Sequence, residues 1–236
     1  MVPITLEGGR DVRHQLTGTT LQVLEIMLQG GEKIVAESGR LSWMQQMQMQ
    51  TRATGGMFGA LRRMAGGGTL FLTEFTPAGK EGMVAFAARA PGQILELDIG
   101  GQDYFVHEHG FLCATEGIEL SVGFQRSLGA GVFGGTGFVL QRLSGDAKAF
   151  IDLSGEIVKR DLADGEEILV QPGHVGMFEG RVAFDITTLP GVRNLLFGGD
   201  GFFLARLRGP GSVWLQSMPL PLLAHTIAPY LSQPGR

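Results

Sequence analysis

Short stretches in which apolar and polar residues alternate recur along the chain, and a turn sequence follows each of them. Residues 21–26 and 94–99 alternate, and residues 157–162 take the corresponding place in a third recurrence. Alternation with a period of two predicts β-strands with one buried and one exposed face. The turn sequences contain glycine, which is typical of tight hairpins. They are Gly30-Gly31, Gly100-Gly101 and Asp164-Gly165.

The later part of each recurrence also follows a fixed order. A second predicted strand runs into a glycine, and a third strand follows it. A glycine cluster then precedes an apolar run that predicts a fourth strand, and a closing strand carries a large aromatic residue. The glycines are Gly39, Gly110 and Gly173, the apolar runs are residues 70–75, 138–143 and 202–207, and the aromatic residues are Phe86, Phe150 and Trp214.

Three recurrences of one strand pattern predict an all-β chain built from three tandem antiparallel modules. The pattern places these modules at residues 1–92, 93–155 and 156–236. The third module should end in a short helix within residues 220–230, because Pro221 favours a helix start. We expect the three modules to pack about a pseudo-threefold axis, each covering an exposed face of its neighbour.

Composition excludes some classes of function. Hydrophobic residues make up 44% of the chain and charged residues 18%, as in globular proteins. The net charge is −4, and no basic tract follows the chain in the way that a nucleic-acid backbone requires. We therefore expect no nucleic-acid partner.

Cysteine content and hydropathy bear on where the protein works. Cys113 is the single cysteine, which excludes a disulfide framework within the chain and a cysteine zinc site, and its apolar neighbours predict a buried thiol. The first residues lack a basic stretch followed by an apolar one, and no apolar run approaches the ~20 residues of a membrane span. These features predict a soluble, cytoplasmic protein without a transmembrane segment.

Several sequence pieces resemble the altered-inheritance-of-mitochondria protein family. Phe-Gly-Gly-x-Gly-Phe occurs at residues 133–138 and again at 197–202, and Phe-Leu-Thr-Glu-Phe and Gly-His-Val-Gly-Met-Phe-Glu occur at 71–75 and 173–179. The resemblance extends from about residue 21 to residue 230. It implies three domains similar to the tryptophan RNA-binding attenuator (TRAP-like), each a short double-stranded β-helix or β-sandwich.

The resemblance also shapes the functional expectation. The family has many bacterial members of uncharacterised function, and its mitochondrial members are linked to inner-membrane organisation. No catalytic residues are established for it, so none are carried over. The prediction is a non-enzymatic scaffold or interaction protein that self-associates, with a protein partner or a membrane surface as its other target and no cofactor.

The strongest candidate for chemistry is His107-Glu108-His109. On a strand the two histidines would face the same side, as in the first metal motif of cupins, and His174 could supply a third ligand. The glutamate expected in that motif comes too late, at Glu116. A solvated strand face is the simpler interpretation, so the prediction is no metal, with a cupin-like metal-binding protein or metalloenzyme as the alternative.

A second candidate is apolar and repeats with the modules. Phe-Gly pairs occur in each module, and threefold packing would gather them at one end of the molecule. They either fill the ends of the modules or form an exposed rim that docks a partner, another copy or a membrane. The pairs are Phe58-Gly59, Phe133-Gly134 and Phe197-Gly198. Because ionisable groups do not recur between modules in this comparison, a site formed once per module is not expected to be ionic.

Overall fold

The computed structural model describes residues 12–53, 71–126, 138–188 and 203–231. Strands make up most of this part of the chain, which confirms the all-β prediction. This part also contains one α-helix, α1 (Leu220–Ile227), and two short 3₁₀ turns, Pro172–His174 and Ala228–Tyr230. Pro221 lies in the first turn of α1, so the helix predicted near the end of the chain is confirmed.

The strands are numbered in chain order. The first ten are β1 (Arg13–Thr17), β2 (Val23–Gln29), β3 (Ile34–Glu37), β4 (Trp43–Gln45), β5 (Met47–Ala53), β6 (Phe71–Pro77), β7 (Glu81–Ala87), β8 (Gly92–Asp98), β9 (Tyr104–His107) and β10 (Phe111–Thr115). The others are β11 (Ile118–Arg126), β12 (Phe138–Gly145), β13 (Lys148–Ser154), β14 (Ile157–Leu162), β15 (Glu167–Val170), β16 (Val175–Glu179), β17 (Ala183–Thr188), β18 (Phe203–Arg208) and β19 (Gly211–Gln216).

The described residues fall into two compact units. The first contains the chain up to Gln102 together with His109–Leu120 and Leu143–Asp152. The second contains Asp103–Glu108 and the rest of the described chain outside those ranges. The three predicted modules and their boundaries stay a prediction.

The internal repetition is clearer in the order of strands within the sheets than in the sequence. One six-stranded sheet has the order β5-β6-β3-β10-β13-β8, and the other has the order β11-β12-β9-β16-β19-β14. Each strand of the second sheet is the strand six positions further along the chain than its counterpart in the first. Two smaller sheets have the orders β1-β2-β7-β4 and β15-β18-β17. Each six-stranded sheet therefore combines strands from two consecutive predicted modules.

The predicted hairpins at the glycine turns are wrong, although the turns themselves form. Glu32 N–H donates to Gln29 O at 3.0 Å, and Gly31 has a φ of +95°, which glycine adopts without strain. Yet β2 pairs with β1 and β7, while β3 pairs with β6 and β10. A glycine turn fixes the backbone angle of the connection, whereas burial of the flanking strands decides their partners. The turn therefore passes the chain from one sheet to another.

The same turn shows that one ionisable group does recur. Glu32 Oε2 accepts the N–H of Gln29 at 2.7 Å, and Glu166 Oε2 accepts the N–H of Ala163 at 2.8 Å. Both glutamates also donate their own N–H to the same residue's carbonyl, at 3.0 Å in each case. The expectation that ionisable groups do not recur is therefore wrong for this position. The carboxylate here closes a turn.

Each unit has its own apolar core. In the first unit the core includes Phe75 and Phe86, whose rings meet edge to face with centroids 5.7 Å apart. In the second unit Phe178 stacks between Phe105 and Phe184, at centroid distances of 5.3 and 5.4 Å. Such pairs add to the free energy that burial of the rings already contributes.

Candidate functional site

The structure places the predicted histidines in different local settings. β9 ends at His107, which is buried with its ring centroid 6.1 Å from that of Phe138. His109 lies in the turn that follows the strand. The prediction that both histidines share one strand face is therefore wrong, because the strand stops before His109.

His174 is held by the backbone. It ends the 3₁₀ turn Pro172–His174, and its Nδ1 lies 2.8 Å from the carbonyl oxygen of Gln216. A carbonyl only accepts hydrogen bonds, so this geometry assigns the proton to Nδ1. Within the described ranges, no three histidine, cysteine, aspartate or glutamate side chains are grouped so that they could hold a metal ion. The metal-binding alternative stays a prediction that the geometry does not support further.

Cys113 is fully buried on β10. Burial raises the pKa of its thiol well above the ordinary value, and Arg40 opposes this only in part. A thiol that stays protonated is neither a nucleophile nor a metal ligand. Its buried position agrees with the prediction.

The most concentrated chemistry of the first unit is an ion cluster with a buried centre and an exposed margin, which no sequence motif revealed. We define it by Glu37, Arg40, Arg89, His109 and Asp152. Arg40 follows the turn at the end of β3, and Asp152 lies on β13; their side chains are 1% and 5% exposed. Arg40 Nη2 donates to Asp152 Oδ2 at 3.0 Å and lies 3.4 Å from the carbonyl oxygen of His109.

Backbone and charge complete the ion cluster. The N–H of Arg89 donates to Asp152 Oδ2 at 3.2 Å. Glu37 Oε2 lies 3.6 Å from both Arg40 Nε and Arg89 Nη2, which is too long for a hydrogen bond but close enough for strong attraction. Two arginines thus face two carboxylates, and the charges balance.

The ion cluster shifts the ionisation of its members. Burial raises the pKa of Glu37, and the positive charges of Arg89 and Arg40 oppose that rise. Burial lowers the pKa of the Arg40 guanidinium, and Asp152 opposes that fall. The side chain of His109 still reaches solvent, but partial desolvation and the charges of Arg89 and Arg40 lower its pKa.

Four polar atoms of the ion cluster are buried without a hydrogen-bond partner. They are Glu37 Oε2, Arg40 Nε, Arg40 Nη1 and Asp152 Oδ1. The set contains two donors from one guanidinium and two acceptors from two carboxylates. Buried waters satisfy groups of this kind in proteins. The positive and negative charges balance within the cluster, and its observed contacts are all with its own chain.

In the second unit, a neutral side chain makes hydrogen bonds equivalent to those of Asp152. Gln216 Oε1 accepts the N–H of Ser154 at 3.1 Å, and Gln216 Nε2 donates to Gly173 O at 2.9 Å. Gln216 on β19 corresponds to Asp152 on β13. Both strands pair with a neighbour whose register shifts at an irregularity, and the residue paired just before that shift is Ile151 in β13 and Leu215 in β19. Asp152 and Gln216 each come directly after that residue. An amide both accepts and donates, whereas a carboxylate needs Arg40 as its donor. Asp152 and Gln216 therefore make equivalent structural contacts with the backbone, one with a charged side chain and one with a neutral side chain.

One sequence signal could have revealed the ion cluster. Asp152 interrupts an otherwise apolar strand, Ala-Phe-Ile-Asp-Leu at residues 149–153, and a lone carboxylate in such a run requires a partner. The partner could not be found from the sequence, because Arg40 lies far away along the chain.

The chain is similar to known proteins over most of its length. The family model described as mitochondrial biogenesis AIM24 matches residues 14–218. The chain belongs to the AIM24 family. A relative from Streptococcus pyogenes serotype M6, described as an uncharacterized protein, is 25% identical over 217 residues, which cover 89% of this chain and 86% of the relative. A crystal structure of another Streptococcus pyogenes protein has the same fold, with a TM-score of 0.75 and 23% identity over 94% of this chain and 100% of that one.

Membership of the AIM24 family confirms the resemblance found in the sequence. The Phe-Gly pairs predicted from the sequence lie outside the described residues, since they fall within 54–70, 127–137 and 189–202. These stretches connect β5 to β6, β11 to β12 and β17 to β18, which are neighbours in their sheets. Of the described helices, none is long and apolar enough to cross a membrane.

Proposed function

We propose that this AIM24-family chain is a non-enzymatic scaffold that works by binding other proteins, including further copies of itself. The observation that carries the proposal is the exposed apolar strand β4, in which Trp43 and Met44 are both open to solvent. Met27 on β2 of the same sheet is exposed as well. Large apolar side chains that are exposed on one sheet, two of them on its edge strand, favour association.

The internal chemistry also favours a structural protein. The ion cluster makes its contacts with the protein's own backbone and charges, and Gln216 makes an equivalent tie with no charge. Catalytic groups depend on their ionisation and reactivity, so a neutral amide would not replace them. The charged groups of the ion cluster are better explained by stability than by turnover.

Two further parts of the proposal concern arrangement and place. We propose the three-module, TRAP-like arrangement about a pseudo-threefold axis, which the repeated strand order of the two six-stranded sheets supports. We propose a role in organising membranes through protein contacts, as the family resemblance in the sequence implies; the matching family model is described as mitochondrial biogenesis. A cytoplasmic location stays a prediction from the sequence.

Light scattering coupled to size-exclusion chromatography tests self-association directly. The mass of the full-length chain is expected to rise with concentration across the micromolar range. Chemical crosslinking in the source cell should recover copies of the chain, with or without other proteins. A chain that remains monomeric at every concentration and yields no crosslinked protein would overturn the proposal.

A further inference from the structure

A short methionine-rich stretch of the first unit runs along the rim of its core. Residues 44–49 read Met-Gln-Gln-Met-Gln-Met. They pass from β4, an edge of the four-stranded sheet, into β5, an edge of a six-stranded sheet. The rings of Phe86 and Phe75, one from each of these sheets, are in contact, so the two sheets enclose one apolar core. The stretch therefore lies where that core meets solvent.

The register of β4 directs Met44 towards the core. Met44 pairs with Val84 on β7, and Val84 is completely buried in the core. Residues that are paired across two strands carry their side chains on the same face. Trp43 and Gln45 therefore lie on the outer face, since side chains alternate along a strand. Met44 is still 39% exposed, so it lies at the open margin of the core.

The sulfur of Met47 lies beside the same part of β7. A Cβ at Gly82 would fall on Met47 Sδ, so the thioether occupies the space that a side chain at Gly82 would need. Gly82 is two residues from Val84 on the same face of β7, which makes it the diagonal neighbour of Met44. Such neighbours are ~7–8 Å apart, a distance that long side chains reach. The Met44 side chain can therefore reach the Met47 sulfur.

Met49 extends this group towards solvent. It lies two residues beyond Met47 on β5 and therefore faces the same side of the strand. Its partner on β6 is Phe75, a core residue that is 1% exposed. Met47 is 8% exposed and Met49 is 55% exposed. We call Met44, Met47 and Met49 the thioether rim, which runs from the buried core to open solvent.

The backbone at Gln46 brings the members of the thioether rim together. Gln46 has a φ of +55°, in the left-handed region that residues with a side chain rarely adopt. Its carbonyl oxygen accepts the N–H of Ala78 at 2.8 Å, which holds the bend in place. The bend carries the chain from one sheet to the other while Met44 and Met47 both stay on the core side.

The chemistry of the thioether rim selects its ligand. A thioether is a neutral, polarizable donor, and soft sulfur ligands favour Cu(I). Residues 41–51 contain no aspartate, glutamate, lysine or arginine, so a hard cation such as Ca²⁺ finds no carboxylate in this stretch. Leucine would fill similar space in the core. The three sulfur atoms therefore add a capacity that packing does not require.

We propose that Met44, Met47 and Met49 bind one Cu(I) ion at the edge of the first unit, with their thioether sulfurs as its ligands. Met44 and Met49 are exposed and have three rotatable bonds each, so they can close on the ion while Met47 stays against Gly82. All three ligands belong to one unit of one chain. The inference therefore does not depend on the proposed self-association, and it uses none of the histidines of the cupin-like alternative.

Anaerobic titration of the full-length chain with Cu(I), in competition with the chromophoric chelator bicinchoninate, tests the site. The wild-type chain is expected to take up one Cu(I), and Met44→Leu and Met49→Leu are each expected to weaken binding about tenfold or more. Met83→Leu is the matched control, because Met83 lies between Gly82 and Val84 on β7 but on the opposite face, and it should leave binding unchanged. Unchanged thermal unfolding of each variant would show that folding is intact.

Other potential ligands are tested in the same titration. A Cys113→Ala chain should bind Cu(I) as the wild-type chain does, because the buried thiol is not part of the thioether rim. Loss of binding in that variant would overturn the inference. So would unchanged binding in a Met44→Leu/Met49→Leu double variant, or a wild-type chain that takes up no Cu(I).

NMR of methyl-labelled methionine gives a second measurement on the wild-type chain. The probe is Ag(I), a soft ion of the same charge that stays in one oxidation state in air. The methyl signals of Met44, Met47 and Met49 should shift on its addition, and that of Met83 should not. Shifts confined to other methionines would contradict the site. The scaffold proposal is decided separately, by the concentration dependence of the mass.

Discussion

Arg40 and Asp152 form an ion pair of 3.0 Å between side chains that are almost completely buried. Desolvation of two charges costs free energy, which the attraction between them and the hydrogen bond from the N–H of Arg89 to the Asp152 carboxylate offset. The pair ties the turn after β3 to β13, so it links distant parts of the chain. Substitutions can test whether the stabilising effect of this pair depends on its charges or only on its hydrogen bonds.

Removing Arg40 alone should be strongly destabilising. Arg40→Met leaves Asp152 buried without its counter-charge, and we expect the free energy of unfolding to fall by about 3–5 kcal/mol. Asp152→Gln alone should also destabilise the chain, because it leaves the guanidinium of Arg40 with only Glu37. Equilibrium unfolding in urea measures both effects.

The double variant Arg40→Met/Asp152→Gln should recover most of that loss. A glutamine at this place can accept the N–H of Arg89 and donate to the carbonyl of His109, as Gln216 does with Ser154 and Gly173. The coupling between the two substitutions would then be large and favourable. Additive losses would show that the ion pair is needed as such and that the comparison with Gln216 is wrong.

Acid should weaken the first unit through His109. The pKa of this histidine is lowered in the folded state from its ordinary value of 6.5, so the unfolded chain binds the proton more readily. The stability present above pH 6.5 is therefore lost as the pH falls through 6.5 towards the folded pKa. His109→Gln should flatten this part of the unfolding profile, and an unchanged slope would contradict the assignment.

Glycine positions with similar backbone angles should differ in their tolerance of a side chain. Gly117 and Gly39 have φ values of +95° and +86°, so alanine is strained at both. A Cβ at Gly117 would also lie 2.5 Å from the carbonyl oxygen of Asp146, whereas nothing lies within 4 Å of one at Gly39. Gly39→Ala is expected to cost about 1 kcal/mol and Gly117→Ala clearly more, as measured by urea unfolding. Equal losses would contradict the importance of the contact with Asp146.

The purified chain is expected to contain no stoichiometric zinc, iron or nickel. His107 is buried beside Phe138, and the Nδ1 of His174 lies against the carbonyl of Gln216. Elemental analysis of protein prepared without chelator tests this expectation. One metal ion per chain that disappears in His107→Ala would favour the cupin-like alternative.

Much of the local structure could be predicted, because it depends on residues that are close together in the sequence. Alternation located strands such as β2 and β8, and Pro221 located α1. The partners of the strands could not be predicted, because a turn such as Gly30-Gly31 has the same sequence whether it joins paired strands or two sheets. The ion cluster was missed for a related reason. Asp152 is visible as a charge in an apolar strand, but only the folded chain brings Arg40 to it.

The shared six-stranded sheet has a consequence for synthesis on the ribosome. β3 pairs with β10, so the edge of β3 that will face β10 stays open until residues 111–115 have left the exit tunnel. The N-terminal part of the chain therefore cannot complete its sheet as an independent early domain, in contrast to the usual order for chains of several domains. During that interval the growing chain presents an unpaired strand, and a chaperone that covers sheet edges would protect it.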